Sequence, residues 1–164
     1  MVRVDASFVY TNASPGLSAT YSRTDTTIVG DKAASGLRLI KEVCNESTTT
    51  CTDTSIDPSS LAGNGNYGTA NTARPNDVLR YRIIYTNTAS GAVTNVVIND
   101  ATPPFTDYVA STCASTPAGL VCTPTTTPPV CIANASCAVR WTLTGGALNA
   151  GAQGIVVYRV SVRP

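Results

Sequence analysis

The strongest pattern in this chain is a two-residue alternation of apolar and polar side chains, the period of a β-strand with one buried face. It is clearest in residues 74–104, where we predict two adjacent antiparallel strands joined by a turn at residues 89–91. The first of these strands has apolar side chains at every second position: Leu79, Tyr81, Ile83 and Tyr85. Residues 93–98 form the second predicted strand. The pattern therefore predicts a half-buried antiparallel sheet.

Other segments repeat this period, and none of useful length has the period of a helix. We predict further strands at residues 37–44, 105–110, 137–143 and 155–162. Several short strands separated by Gly, Pro and Asn turns are typical of an all-β sandwich. The expected core residues are the apolar inward positions of these strands: Leu39, Tyr81, Ile83, Val96, Trp141 and Val156.

The chain begins with a cleanly alternating strand that has no obvious hairpin partner. Its apolar face comprises Val2, Val4, Ala6, Phe8 and Tyr10. Residues 17–29 are rich in Thr and Ser and weakly patterned, so we expect them to be extended at best. We therefore divide the chain into an N-terminal extension or inter-repeat segment, residues 1–35, and a sandwich domain, residues 36–164. An unpaired apolar strand either pairs with another subunit or packs as an edge strand on its own domain, and the sequence leaves both open.

Two polar segments interrupt the strand pattern. Residues 45–72 contain too few apolar side chains for a core element, so we predict a loop with at most a short edge strand. Residues 113–137 are rich in Pro and Thr, and their prolines exclude a central strand.

The six cysteines fall into three sequence-local pairs: Cys44 with Cys51, Cys113 with Cys122, and Cys131 with Cys137. We predict disulfides between these neighbours, because short loops are the least costly to close. Histidine is absent and the cysteine spacing does not suit zinc, so we expect no metal site. A disulfide framework predicts an extracellular or cell-surface location.

Charge and hydropathy exclude two classes of partner. The 164 residues include 13% charged side chains and have a net charge of +1. Nucleic-acid binders present clustered Lys and Arg, so we expect no nucleic-acid partner. No run approaches the roughly 20 apolar residues of a spanning helix, so we expect no membrane insertion.

The sequence offers no catalytic constellation, and we predict neither an enzyme nor a cofactor. Asp100 and Asp107 are isolated, whereas glycoside hydrolysis needs two carboxyl groups at a defined separation. Lys41 lies in a strand without a motif, and we expect it to be unreacted. The alternative is an intramolecular isopeptide bond with an Asn such as Asn87. Calcium bound by Asp53, Asp57 and the loop carbonyls is not favoured, because the spacing does not match an EF-hand.

Three Asn-x-Ser sequons, beginning at Asn12, Asn45 and Asn134, together with dense Thr runs, allow the loops to carry glycans.

Residues 37–162 resemble the prokaryotic repeat called domain of unknown function eleven. The resemblance is carried by Lys41 in the first strand, by the Tyr-x-Ile-x-Tyr-x-Asn strand ending at Asn87, and by the Asn-Val-x-Ile-x-Asp strand ending at Asp100. It implies an immunoglobulin-like antiparallel β-sandwich, as in modules of bacterial and archaeal surface proteins. The predicted fold is therefore this sandwich with the N-terminal strand as an extension. The resemblance implies no catalytic residues.

Two functions follow as hypotheses. The first is a structural subunit of an extracellular filament or cell-surface assembly, whose partners are other copies of itself joined by strand donation from the N-terminal extension. The second is an adhesive or carbohydrate-binding module that contacts surface glycans through the disulfide-tied loops at residues 45–72 and 113–137.

Overall fold

The computed structural model describes residues 2–11, 18–27, 36–54, 56, 60, 62–129, 131 and 135–164, the first two ranges for their backbone alone. These residues form β-strands and connections, with no helix among them and thus none long and apolar enough to cross a membrane. The strands are, in chain order, β1 (Val2–Thr11), β2 (Ser18–Thr27), β3 (Leu37–Asn45), β4 (Ala70–Thr72), β5 (Val78–Asn87), β6 (Val97–Ala101), β7 (Thr106–Ser115), β8 (Val121–Thr127), β9 (Ala138–Thr144) and β10 (Gln153–Val162).

The body of the protein is a two-layer β-sandwich. One sheet has four strands in the order β3-β5-β10-β7, and the other has three in the order β6-β9-β8. All neighbouring strands within these two sheets are antiparallel. A further sheet, in the order β2-β1-β4, contains the N-terminal strands. The all-β sandwich predicted from the alternating pattern is therefore confirmed.

The core lies between the two layers and is rich in aromatic side chains. The rings of Tyr81 and Tyr158 stack with centroids 4.9 Å apart. Trp141 projects from the central strand of the opposite sheet, and its ring centroid lies 6.1 Å from that of Tyr158. The indole Nε1 donates to the carbonyl of Thr112 at 3.1 Å, so its polar atom is satisfied inside the core. All six core residues expected from the sequence are buried: Leu39, Tyr81, Ile83, Val96, Trp141 and Val156.

The predicted hairpin within residues 74–104 is wrong. Its first strand, β5, pairs with β3 and β10, whereas the second strand, β6, pairs with β9 in the other sheet. The second strand also begins later than expected, because Val93 makes only an isolated bridge with Leu148. Residues 88–96 are too many for a tight turn, and they carry the chain across the sandwich from one sheet to the other.

The expectation that the first strand lacks a hairpin partner is also wrong. β1 pairs with β2 in continuous antiparallel register from Val2↔Thr27 to Thr11↔Ser18. The Thr and Ser residues of β2 hide a strand from an analysis of apolar periodicity, although Thr itself favours extended backbone.

Two predicted boundaries near the proline-rich segment change as well. β7 extends to Ser115, beyond the strand predicted at residues 105–110. Part of the segment expected to be irregular forms β8, but β8 pairs with β9 alone. Pro124 therefore lies in an edge strand, as its missing N–H requires.

Candidate functional site

The N-terminal strands pair with the rest of the protein at a short junction, and they also contact β3 and β6. β1 runs parallel to β4 over three residue pairs: Ser7↔Ala70, Phe8↔Asn71 and Val9↔Thr72. By contrast, ten pairs join β1 to β2. The backbone pairing therefore makes β1 and β2 a unit, which we call the N-terminal hairpin, attached to the body through β4.

β4 is held in place by hydrogen bonds to the end of β3. The backbones of Val43 and Gly68 exchange two bonds, at 2.8 and 3.1 Å. The side-chain amide of Asn45 donates to the carbonyl of Thr72 at 3.0 Å and to the Asp77 carboxylate at 2.9 Å. Ala70 and Thr72 themselves are exposed. The junction is thus an accessible short strand on a firmly positioned segment.

The loop between β3 and β4 is fixed over the outer face of the four-stranded sheet by a fully buried arginine. Arg82 Nε donates to Glu42 at 2.8 Å, and its Nη2 donates to the side-chain and main-chain oxygens of Asn64 at 2.6 and 3.1 Å. The side-chain amide of Asn64 also donates to Glu42 at 2.7 Å. The guanidinium lies 4.1 Å from the ring centroid of Tyr67. A planar cation with several partners therefore joins the sheet to the loop.

A second arginine reinforces the loop beside the first. Arg80 forms ion pairs with Asp53 and with Glu46, the latter at 3.0 Å, and Glu46 also pairs with Arg159 at 2.6 Å. The hydrogen bond from Arg80 to Asp53 holds the arginine pKa above its usual value. Tyr67 also donates to Asp53, and burial together with that carboxylate raises the tyrosine pKa. Asp53, considered above as a calcium ligand, is thus engaged by an arginine and a tyrosine.

The three disulfides join the sequence neighbours that loop-closure cost favours: Cys44–Cys51, Cys113–Cys122 and Cys131–Cys137. Cys44–Cys51 anchors the start of the β3–β4 loop to β3. Cys113–Cys122 joins β7 and β8 and so links the two sheets at one side of the sandwich. Three disulfides indicate an oxidising environment.

A lysine and an aspartate meet inside the core, away from the loop and the N-terminal hairpin. Lys41 Nζ lies 2.8 Å from Oδ1 and 2.7 Å from Oδ2 of Asp100. The exposed fractions of the two side chains are 6% and 0%. The ring centroids of Tyr81 and Tyr158 lie 5.2 and 5.5 Å from the same Nζ. This pair joins β3 of one sheet to β6 of the other.

The positions of Lys41 and Asp100 within their strands predict this pair, although no sequence motif marks it. Lys41 has the same strand parity as the buried Leu39 and Val43, and Asp100 has the same parity as the buried Ile98. Two opposite charges at inward positions of two strands predict a buried ion pair.

Asn87, considered as a partner for Lys41, does not approach it. Lys41 pairs in register with Ile83, whereas Asn87 pairs with Leu37 at the other end of β3. The Asn87 amide donates to the carbonyls of Gly91 and Leu148 at 2.8 and 2.9 Å, and its oxygen accepts from the Ala89 N–H at 3.0 Å. Asn87 therefore fixes a turn, and Lys41 faces Asp100 instead.

Several other predicted sites remain partly outside the described residues. The structure describes no side chain of the five residues assigned to the assembly face: Val2, Val4, Ala6, Phe8 and Tyr10. The sequon residues Asn12 and Asn134 and the acid Asp57 also lie outside the described part. Asn45 is 1% exposed, and both of its amide atoms are hydrogen-bonded. Its side chain is therefore not available for glycosylation in the folded protein.

Comparisons of the chain with protein-family models, with curated proteins and with solved structures found no match.

Proposed function

We propose that this protein is a structural subunit of an extracellular filament or cell-surface assembly, in which the N-terminal hairpin of one copy pairs with β4 of the next. The observation that carries the proposal is the unequal pairing of β1, with ten pairs to β2 and three to β4. On leaving its own β4, the hairpin gives up this short pairing together with its contacts to β3 and β6, and it can form the same contacts on a neighbour. Such exchange of an identical element is a low-cost route to assembly.

The geometry favours repeated addition. The donor (β1) and the acceptor (β4) are different surfaces of one chain, so each subunit that donates a hairpin still offers an acceptor. Contacts of this head-to-tail kind continue into a filament unless the rotation between subunits closes a ring. Backbone hydrogen bonds supply the attraction, as in other cases of strand addition to a sheet edge.

The buried arginine network supports a mechanical role for the acceptor. β4 lies at the end of the loop that Arg82, Arg80 and the Cys44–Cys51 disulfide hold against the sheet. A fixed acceptor loses little conformational entropy when a strand is added. The loop's polar side chains at Asp53 and Asn64 turn toward these arginines, which favours a supporting role over ligand recognition.

The remaining features of the molecule support the same proposal. Four and three strands in two antiparallel layers suit an immunoglobulin-like sandwich. The resemblance of residues 37–162 to domain of unknown function eleven points to a prokaryotic surface module. The three disulfides suit an extracellular or cell-surface location. The net charge of +1, with no basic cluster visible in the sequence, suits a protein whose partners are copies of itself.

Site-directed cross-linking of the full chain tests where the hairpin pairs. One variant carries only Ser7→Cys and a second carries only Ala70→Cys, at positions that face each other in the parallel register. The two variants are mixed at high protein concentration, oxidised mildly and separated by non-reducing electrophoresis. Strand donation predicts a covalent heterodimer. The matched control is one chain carrying Ser7→Cys and Ser22→Cys, whose positions pair within the hairpin, and it should give a cross-linked monomer in every case.

The outcomes distinguish the candidate functions. A chain carrying both Ser7→Cys and Ala70→Cys should give a ladder of multimers, visible as filaments by electron microscopy, if hairpins are exchanged. A closed monomer as the only product at every concentration contradicts strand donation. A monomer of this kind that binds immobilised glycans, and loses binding when residues 45–72 are exchanged, would establish the adhesive module instead.

A further inference from the structure

We propose that Lys41 and Asp100 form an intramolecular amide cross-link between the two sheets of the sandwich. This inference is independent of the proposed assembly. It rests on the contact between an amine and a carboxylate inside the core, which the sequence did not assign.

The geometry places the reacting groups in contact. Lys41 Nζ lies within 2.8 Å of both carboxylate oxygens of Asp100, at distances of 2.8 and 2.7 Å. Reacting groups held in contact gain a large effective concentration. The stacked rings of Tyr81 and Tyr158 lie beside the amine, with centroids 5.2 and 5.5 Å from Nζ. The sandwich therefore holds the amine against the carboxyl group with which it would condense.

The surroundings favour condensation over a permanent ion pair. Two charges buried in a core each carry a desolvation penalty that a contact pair offsets only in part. An amide removes both charges. The backbone N–H of Ala101 donates to Asp100 Oδ1 at 2.8 Å, so a fixed donor is in position to stabilise negative charge on that oxygen during attack. The same burial keeps out water that would hydrolyse the product.

The reaction is a dehydration and needs no oxidant. Proton transfer from the Lys41 ammonium to the Asp100 carboxylate frees the nitrogen lone pair. The nitrogen then attacks Asp100 Cγ, a C–N bond forms, and the bond from Cγ to Oδ2 breaks. Two of the three ammonium protons leave with that oxygen as water, and the third remains on the amide nitrogen. The product is a neutral link between β3 and β6.

Mass spectrometry of the full wild-type chain gives the first test. After reduction and alkylation of the six cysteines, we expect an intact mass lower by one water than the mass calculated for the fully alkylated chain. The chain contains only two lysines, Lys32 and Lys41. An amine-reactive label added to the denatured protein should therefore modify Lys32 and leave Lys41 unmodified. Trypsin should fail to cleave after Lys41 and yield a branched peptide containing Asp100.

Matched lysine variants separate the cross-link from other dehydrations. Lys41→Met should restore the full calculated mass, whereas Lys32→Met should still lose one water. A succinimide at Asp100 would also lose water but would leave Lys41 reactive, and that result overturns the proposal. So does a wild-type chain with the full mass and two labelled lysines. Because these readouts use denatured wild-type protein, they decide the question even if Lys41→Met fails to fold.

Discussion

At Gly154 a neighbouring aromatic ring, and not the backbone conformation, leaves no room for a larger residue. It lies in β10 opposite Tyr85, and a Cβ built there would approach the tyrosine oxygen to 2.1 Å and the Ser115 carbonyl to 2.7 Å. The backbone of a central strand cannot move away without losing its pairing on both sides. The aromatic core therefore needs a glycine beside Tyr85.

We expect Gly154→Ala to lower the free energy of unfolding by about 1–3 kcal/mol through overpacking. The matched control is Gly91→Ala, because a Cβ at Gly91 meets no atom within 4 Å. That variant should stay within about 0.5 kcal/mol of the wild type. Chemical denaturation under non-reducing conditions measures both. Equal stability of the two alanine variants would show that the Tyr85 ring can move aside.

The buried tyrosines make stability depend on pH in the alkaline range. Burial raises the pKa of Tyr85 to about 12 and also raises that of Tyr81. An unfolded tyrosine loses its proton near pH 10, so between about pH 10 and 12 the folded state binds more protons. The free energy of unfolding should be unaffected by this group below about pH 10 and should fall as pH rises above it.

Denaturant titrations at a series of alkaline pH values, with tyrosinate absorbance as a second signal, measure this decline. Tyr85→Phe removes one of the titrating groups and should make the decline shallower without abolishing it. A free energy of unfolding that is constant to about pH 12 would mean that these rings are not buried as described.

The alternation along each strand predicted to which face of the sheet the side chains point. It did not predict which other segments of the chain cover those faces. Strand parity correctly placed Tyr81 and Ile83 inside and Arg80 and Arg82 on the opposite face. It could not show that Arg82 is fully buried, because the loop that covers it is polar and has no period of its own. The partners of Arg82 are supplied by residues distant in sequence, and alternation within one strand does not specify such pairs.

At the scale of elements, apolar periodicity found most strands of the sandwich and missed β2 and β8. β2 contains mostly Thr and Ser, so it has no apolar face to detect. The wrongly predicted pairing of β5 with β6 has a different cause. Both strands are well patterned, but a nine-residue connection is compatible with pairing in one sheet or with crossing to the other, and only packing decides.

The β3–β4 loop depends on the buried arginine for its position, and this can be measured. Arg82→Met leaves Glu42, whose side chain is 12% exposed, without its charge partner and removes the bonds to Asn64. We expect a loss of about 3–5 kcal/mol, the usual result of breaking a buried pair. Arg159→Met is the matched control, since its side chain is 39% exposed. It should lose about 1 kcal/mol or less.

Hydrogen exchange of the folded variants gives a second measurement for the same element. In Arg82→Met the backbone amides of Asn64, Gly65 and Tyr67 should exchange faster, while those of β5 and β10 keep their protection. Unchanged protection in the loop would show that the Cys44–Cys51 disulfide holds it without the arginine.

For the whole molecule, two distinct kinds of interaction act on the two faces of one sheet. The inner face packs Tyr81 and Tyr158 against Trp141 of the opposite sheet, and the outer face carries the arginine network with its loop. Sequence pattern predicts the first kind, because burial of apolar surface depends on composition and parity alone. It does not predict the second, which depends on the directions of individual hydrogen bonds.

The sandwich should fold without the N-terminal hairpin, because residues of 36–164 form the main apolar cluster among the side chains that the structure describes. Its members run from Leu37 to Val162 and fill the space between the two sheets. A chain beginning at Gly36 loses the three pairs between β1 and β4 and the contacts of the hairpin with β3 and β6, but none of the cluster that the structure describes. We therefore expect a single cooperative unfolding transition with nearly the wild-type denaturant midpoint, and unchanged near-ultraviolet circular dichroism from Trp141 and the buried tyrosines.

The control is Trp141→Ala, which removes a core side chain and should lower the free energy of unfolding by about 3–5 kcal/mol. If the shortened chain instead lost its near-ultraviolet signal, the hairpin would be part of the folding unit, and its exchange between copies would require unfolding of the donor.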